Sequence, residues 1–543
     1  MIKTIARLRA AQIIAMLLVT AALFSAFRTG IGRDLHSTFA AQSWGRVQFA
    51  IGAAVTSLYH GGYGYTISDV VRVILTSGGL TGDPATLKSL DQTFPGNLRH
   101  PTLMENAIKK AISFTWPFNP NERVTGSQGE DVGLVDYVRL SFALFGPKMA
   151  SFFLTYFVLV ATSFMAALVA FRKMPGILAI FVLYAVALAV VFRTNLLDLD
   201  LVGILDPRFL STLGLVPAAH IAFAMLAQPR ASAGQIALAL VQSAILVFAY
   251  WIRSSALWTV IALALLAALL GAHAMWRGDP RQLTRNWPFA IVIVFVTGHF
   301  IYVAEVLHPV YQTPNERPHH ALWHAIGYAL QMHPKWPTKY AAKYGLLNPD
   351  QIPENMAKDY LLHHPPDDPD RVYVTTAREY LRIGVAEFYK RKAVIDFAIK
   401  DPKFVAEVFL IHNPQRCFET LARYLSSYSR TVDYMLVVLA ILLGVIVALS
   451  DAGGAGQVLK AALILTGGLL VSLIPIALTA PSIAVMVDQF VMLLVSAMAW
   501  LVAAVAYAIR AVMPMLYAPA GALCRHAEGE QMRRNSGPVL PAT

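Results

Sequence analysis

The chain has 543 residues, of which 57% are hydrophobic and only 14% are charged. Soluble domains carry about 25% charged residues, so this composition excludes an ordinary soluble protein and predicts a protein with many membrane spans. The net charge of +12 does not indicate nucleic-acid binding, because no basic run is interleaved with the aromatic residues that stack on bases.

Apolar runs of about 20 residues are long enough to cross a bilayer as helices. The sequence predicts ten such spans, at 10–27, 148–170, 175–192, 209–227, 234–252, 256–275, 288–306, 432–449, 458–478 and 483–507. The first run follows a basic start, a pattern that signal peptides share, and we interpret it as an uncleaved span.

Basic residues predict the orientation of these spans, because lysine and arginine favour cytoplasmic loops. They fall in alternate loops, among them Arg172 and Lys173 after the second span and Arg510 after the last. Both termini are therefore expected in the cytoplasm of a cytoplasmic (inner) membrane protein. Two long loops, 28–147 and 307–431, are then expected on the outer face.

We therefore expect an all-α polytopic membrane protein of about ten transmembrane helices with two helical outer-face loop domains. The expected divisions are 1–306 with seven spans, 307–431 as an outer domain, 432–510 with three spans, and 511–543 as a cytoplasmic tail. Helical spacing predicts short helices in the stretches 44–75, 318–332, 374–401 and 402–430. The polar end of the tail, after about residue 515, is expected to be disordered.

An acidic pair, Glu130 and Asp131, precedes a long apolar helix and stands between Gly129 and Gly133. A carboxylate near surroundings of low dielectric has a raised proton affinity, which suits a general base. The alternative is helix capping, since acidic residues are favoured at a helix start. Asp136 follows as a further candidate, and Asp34 lies just beyond the first span.

Arginines near the predicted outer face could contact phosphate. Arg193 and Arg208 flank three carboxylates (Asp198, Asp200 and Asp206), which could hold a divalent metal or belong to a solvated loop. Arg253 lies between two apolar spans, where it either binds phosphate or extends to the membrane surface.

Histidines are concentrated at the start of the second long loop. His320 and His324 are four residues apart, so they share one face of a helix with Trp323 beside them. This spacing could bind zinc, although no third ligand stands at a fixed spacing, or the group could contact a sugar or phosphate of an acceptor. Ordinary loop histidines would look the same. His299 and Glu305 are ionisable residues in or near the seventh span and are candidates by position.

The stretch "DVGLVDYVRLSFALFGPKMASFFLTYFVLVATSF", residues 131–164, resembles the segment that leads GT-C membrane glycosyltransferases into their second span. The layout of a first span, a long outer loop with acidic residues and many further spans is also similar to that superfamily. The resemblance implies a polyprenyl-phosphate sugar donor and an acidic base in the first outer loop. Members often have an acidic pair soon after span one, whereas this chain has only Asp34 there.

Carried onto this sequence, the resemblance implies Asp131, Glu130 or Asp34 as catalytic base and Arg253, Arg208 or Arg193 as donor-phosphate contacts. His320, His324 and Trp323 are the expected acceptor contacts. The expected partners are a polyprenyl-phosphate sugar donor and a lipid or glycan acceptor in a membrane, without nucleic acid. The sequence contains no nucleotide-binding motif, and it leaves open whether a divalent metal takes part. The alternatives are a lipid or polysaccharide transporter, flippase or polymerase, and a non-catalytic assembly factor.

Overall fold

The computed structural model describes thirteen stretches of the chain. They are 2–34, 44–60, parts of 105–113, 132–193, 207–227, 231–253, 256–306, 322–345, 351–364, 383–426, 431–451, 453–479 and 486–535. Every regular element in these stretches is helical. The all-helical class predicted from the sequence is thus confirmed.

The α-helices of six or more residues are numbered here in chain order. They are α1 (Ile2–Asp34), α2 (Trp44–Tyr59), α3 (Val132–Phe145), α4 (Ala150–Ala170), α5 (Pro175–Arg193), α6 (Leu215–Ala227), α7 (Ala233–Ile252), α8 (Leu257–Trp276), α9 (Trp287–Ile301), α10 (Leu322–Ala329), α11 (Gln351–His363), α12 (Ile383–Lys400), α13 (Pro402–Glu407), α14 (Asn413–Ser426), α15 (Thr431–Leu449), α16 (Gly454–Ala477) and α17 (Val487–Asn535). A short turn, Ser211–Gly214, leads into α6, and π-helical turns follow α9 and α13.

Seven helical segments in the described residues are long and apolar enough to cross a membrane. They are Ala150–Ala170, Pro175–Phe192, Ala233–Ile252, Leu257–Trp276, Leu283–Val306, Gly454–Ala477 and Val487–Val512. The other three predicted spans coincide with shorter apolar helices, Gln12–Arg28, Ser211–Ala227 and Met435–Leu449. The long apolar helices expected of a helical membrane protein are therefore present in the described residues, and the number ten stays a prediction.

Helix α5 lies at the centre of the bundle, since 94% of its spanning window is buried. Lipid tails are as apolar as leucine, so helices in a membrane associate mainly through close packing of small residues. Helix α5 supplies alanine at four buried positions, 179, 185, 187 and 189. At its start, a Cβ on Gly176 would lie 2.3 Å from the carbonyl oxygen of Gly454, so only glycine permits this approach of α5 to α16.

The helix ends gather at two ends of the bundle. At one, Gln457 accepts a hydrogen bond from the Gly176 backbone, and Arg510 donates to the Asp451 carbonyl. We call this the Gly176 end. At the other, α3 approaches the last residues of α7, and the first turn of α17 faces Ser211. We call this the Trp251 end.

The described residues within 322–426, which we call the domain 322–426, include a small helical core of their own. In this core, α10, α11, α12 and α13 surround Trp336, Phe397 and Phe404. Helix α13 begins as its sequence predicts: Pro402 fills the first turn, and the Asp401 side chain accepts from the Phe404 backbone. The predicted helices at 318–332, 374–401 and 402–430 correspond to α10, α12 and α13 with α14. Helix α11 was not predicted.

The prediction of a disordered tail after residue 515 was wrong as far as Asn535, because α17 continues to that residue; 536–543 lie outside the described residues. The prediction rested on the lack of apolar residues to bury. The segment is nevertheless rich in alanine, leucine, methionine, glutamate and arginine, which favour the helical backbone without burial.

Candidate functional site

A group of polar side chains lies at the Trp251 end of the bundle, where α3 crosses the last turn of α7. The two backbones meet at Gly133, whose Cβ would lie only 2.0 Å from the Trp251 carbonyl oxygen. This contact places Asp136 against α7. The Trp251 indole nitrogen donates to Oδ2 of Asp136 at 2.8 Å, and Arg139 donates to Oδ1 at 3.2 Å.

The Asp136 carboxyl has a raised proton affinity. Its side chain is only 21% exposed, and burial raises its pKa above the usual 3.8 even though the hydrogen bonds from Trp251 and Arg139 oppose the shift. A carboxylate with a raised pKa is a stronger base than one in water. Asp136, the further candidate of the sequence, thus has the electrostatic property that a general base requires.

A second carboxylate, Asp488, lies in the first turn of α17 at the same end. The Ser211 hydroxyl donates to it, and the Arg253 guanidinium attracts it electrostatically. Its Oδ1 atom is buried and has no hydrogen-bond partner in the part of the chain that the structure describes. Arg253 follows Trp251 by two residues, so both carboxylates face the C-terminal end of α7.

Beneath Ser211, a hydrogen-bonded chain holds the neighbouring turn in place. The Tyr156 hydroxyl of α4 donates to Thr212 at 2.7 Å, because Thr212 uses its own proton to donate to the Phe209 carbonyl, also at 2.7 Å. Tyr137 of α3 donates to the Phe152 carbonyl at 2.6 Å. These bonds fix α3, α4 and the Ser211 turn relative to one another, and so fix the polar groups that they carry.

Aromatic side chains flank the carboxylates. His299 packs edge-on against Trp251 and Tyr250, with ring centroids 4.7 and 5.1 Å apart. A cavity of about 360 Å³ opens between α7 and α9 beside them. Its lining is mainly apolar and consists of Val247, Phe248, Trp251, Val294, Phe295, Gly298, His299 and Tyr302. His299, a candidate by its position in the sequence, therefore lies next to the Asp136 group.

None of the three catalytic residues predicted from the sequence has a described side chain. Glu130 and Asp131 fall outside the described residues, directly before α3. Asp34 is the last residue of α1, which continues past the predicted span, and its side chain is not among those described. Of the predicted phosphate contacts, Arg253 lies in the polar group. Arg193 ends α5, and Arg208 precedes the Ser211 turn, both with side chains outside the described part.

Two of the predicted acceptor contacts, Trp323 and His324, belong to the domain 322–426. The backbone nitrogens of Trp323 and His324, in the first turn of α10, donate to Oε2 of Glu387 at 2.9 and 3.3 Å. Lys390 donates to Nδ1 of His324 at 3.2 Å. These bonds tie α10 to α12, so both residues have a structural role, and acceptor contact stays a prediction. His320 falls outside the described residues.

The described residues include one group with the composition of a metal site. The ligand atoms of His333, Glu407 and His412 lie within 4.8 Å of one another. Nδ1 of His333 accepts from the Lys335 backbone at 3.0 Å, so Nε2 carries the proton and donates to Glu407 at 2.8 Å. A metal ligand needs a free lone pair, so this arrangement fits a hydrogen-bonded pair and not a metal ion. Asp198, Asp200 and Asp206 fall outside the described residues.

Sequence reasoning missed Asp488. Its signal was available, because an acidic residue inside a predicted span is a functional candidate by default. The residue stands near the start of the last predicted span, 483–507, and was absorbed into that apolar run. Its partners Ser211 and Arg253 are more than 200 residues away in the chain, and only folding brings them together.

Comparison of the chain with models of known protein families, with curated proteins and with solved structures finds no match.

Proposed function

We propose that this chain is a membrane glycosyltransferase that moves a sugar from a polyprenyl-phosphate donor to a lipid, glycan or protein acceptor. The observation that carries the proposal is the convergence at the Trp251 end. There, Trp251 and Arg139 donate to Asp136, and the Arg253 guanidinium, two residues beyond Trp251, attracts Asp488. Aromatic side chains lie beside Trp251. Acid–base groups beside an arginine suit transfer chemistry on a phosphorylated lipid.

The proposed reaction takes place at the outer face of the cytoplasmic membrane. Arg172 and Lys173 follow α4 at the Gly176 end, and Arg510 lies there too. Because such residues favour the cytoplasmic side, we assign the Gly176 end and both termini to the cytoplasm. The Trp251 end, the loop 28–147 and the domain within 307–431 then face outward.

A carboxylate at the start of α3 is the proposed base. Asp131 and Glu130 directly precede Val132 in the sequence, and Val132 is the first residue of the helix that carries Asp136. The base takes the proton of an acceptor hydroxyl as its oxygen bonds to the sugar C1. The bond between C1 and the phosphate oxygen breaks at the same time, and polyprenyl phosphate leaves with the electron pair. Asp34, at the end of α1, is the remaining candidate.

Arg253 is the proposed phosphate contact, because a guanidinium binds phosphate oxygens and steadies negative charge on the leaving group. Asp488 is a positioning residue in this scheme, since its attraction to Arg253 orients the guanidinium. Arg193 and Arg208 are further candidates, as both belong to elements that end at the Trp251 end. We expect the acceptor to enter between the two outer loops, near Trp323, His324 and His320.

The test is mass spectrometry of the envelope lipids and glycans of a strain that lacks the gene, complemented with single variants. Asp136→Asn, Asp131→Asn, Glu130→Gln and Asp34→Asn remove one carboxylate each, and Arg253→Lys keeps the charge but not the fork geometry. Loss of a general base lowers transfer by about 10²–10⁴-fold. Asp396→Asn is the matched control, because this carboxylate pairs with Lys400 on the exposed face of α12.

The proposal holds if one sugar-containing mass disappears in the deletion strain and returns with wild type and Asp396→Asn, but not with one of the carboxylate variants at the Trp251 end. That variant then identifies the base. If no sugar mass changes, or every stably expressed variant restores it, the transferase is rejected. The transporter or assembly-factor alternative would then take its place.

One observation bears on the transporter alternative, in which polar groups line a path through the membrane. Nε2 of Gln242, midway along α7, lies 3.2 Å from Nδ1 of His220 and donates to the Ser163 carbonyl at 2.8 Å. Both side chains are buried, and such bonds commonly join helices inside membranes. This pair is thus accounted for by packing, which leaves the Trp251 end as the stronger candidate site.

A further inference from the structure

Helix α14 carries large apolar side chains that neither core covers. Its buried face, with Cys417 and Leu421, packs into the membrane bundle. On another side, Phe418 is 61% exposed, and Ile411 and Leu410 in the preceding π-helical turn are 54% and 76% exposed. Ile411 and Phe418 are seven residues apart, about two helical turns, and therefore share one side.

The height of α14 relative to the membrane is fixed by Asn413. This residue is fully buried, and its Nδ2 atom donates to the carbonyl of Ala477 at 2.8 Å and to that of Thr479 at 3.0 Å. Ala477 is the last residue of α16, whose 24 residues span about 36 Å. The hydrocarbon core is about 30 Å thick, so the end of α16 and the start of α14 lie at its boundary.

The basic residues of α14 lie on a different side of the helix from Ile411 and Phe418. Arg416 and Arg423 are exposed and lie about 140° around the helix from Ile411 and Phe418, respectively. The helix thus has three sides: one on the bundle, one apolar and one polar. A helix at the membrane boundary needs this division, with its apolar side on lipid and basic residues near the head groups.

We propose that α14 is an interfacial helix, with Leu410, Ile411 and Phe418 inserted at the boundary between lipid head groups and acyl chains. The bilayer surface is the occupant of this apolar side, because the hydrogen bonds of Asn413 hold it at that depth. The helix anchors the domain 322–426 to the membrane at the Trp251 end. This inference depends on α16 as a membrane span and is independent of the enzymatic proposal.

The test measures the depth of spin labels in the full-length chain, reconstituted in vesicles of phosphatidylcholine and phosphatidylglycerol. Phe418→Cys reports the apolar side, and Glu419→Cys, an exposed neighbour, is the matched control. Cys524→Ser removes the background cysteine, whereas Cys417 is buried. Ile411→Cys and Arg416→Cys, which lie about 140° apart around the helix, repeat the comparison, so the test does not depend on the folding of one pair of variants.

The label at Phe418 should collide at least several-fold more with oxygen, which concentrates in lipid, than with a water-soluble nickel chelate. The label at Glu419 should show the reverse preference. A label at Phe418 that is as accessible to the nickel chelate as the control overturns the proposal, because the apolar side then faces water. Shielding of Phe418 from both reagents also overturns it, because a protein, either a partner or a second copy, then covers this side.

Discussion

Replacing Gly133 with alanine should separate α3 from α7 and destabilise the bundle. The new Cβ would lie 2.0 Å from the Trp251 carbonyl oxygen and 2.2 Å from its carbon, about 1.4 Å short of ordinary contact. Both obstructing atoms are backbone, so no side-chain rotation relieves the overlap. Overpacking of this kind costs about 1–3 kcal/mol.

The same displacement would stretch the bond from Trp251 to Asp136, now 2.8 Å. Hydrogen bonds to charged groups contribute about 1.5–3 kcal/mol, so the total loss of stability should be about 2.5–6 kcal/mol. The assay is thermal unfolding in detergent, followed with a thiol-reactive dye that reaches Cys417 only on unfolding, in a Cys524→Ser background. Cys417 is 2% exposed in the folded chain.

Gly298→Ala is the matched control. This glycine lies in α9 at the same end of the bundle, and its Cβ would meet no atom within 4 Å. Alanine is preferred to glycine inside a helix by up to about 1 kcal/mol, so the melting midpoint should stay unchanged or rise. If Gly133→Ala melts together with this control, the close approach of α3 to α7 is wrong, and with it the position of Asp136.

Three further predictions concern stability. Asp136→Asn should keep or raise the melting midpoint at pH 7, because burial raises the pKa of this carboxyl and penalises its charged form. The gain in midpoint over wild type should shrink as acidification protonates Asp136 in the wild-type protein. Asp401→Asn should lower the melting midpoint at pH 7, because the hydrogen bond from Lys339 holds the Asp401 pKa at about 2, below 3.8. The difference in midpoint between variant and wild type should fade as the pH falls from about 4 through 2, and a difference that stays constant with pH would contradict this prediction. Asn413→Ala removes two hydrogen bonds to backbone carbonyls at the end of α16, and each of them contributes about 0.5–1.5 kcal/mol. The variant should therefore speed tryptic cleavage of the domain 322–426, whereas the control Gln415→Ala, on the exposed side of α14, should not.

The local pattern of apolar residues was sufficient to predict where the helices lie in the sequence. An apolar run of about 20 residues predicts a span wherever it stands, because each backbone group in lipid must find its partner within the same helix. The predicted spans accordingly coincide with described helices, seven of them long enough to cross a membrane. The wrong prediction for the tail also arose from local sequence. Its polar composition suggested disorder, whereas its helix-forming residues continue α17 to Asn535.

The candidate site was predicted only in its sequence-local part. The acidic residues around the start of α3 stood out because they adjoin glycines and an apolar helix. Nothing local indicated that Trp251, 115 residues later, would donate to Asp136. Asp488 had a local signal, as an acidic residue in an apolar run, but the sequence does not indicate that Ser211 and Arg253 are its partners.

The sequence by itself therefore determined that the chain is helical, where its apolar helices lie, and which polar residues stand beside them. Only the tertiary structure decided which helix ends meet. Helices in lipid are apolar on all sides, so their sequences carry little amphipathic pattern to show which face is inward. Close backbone contacts such as those of Gly133 and Gly176 determine instead which helices pack together. This packing brings Asp136, Arg253 and Asp488 to the Trp251 end of the bundle.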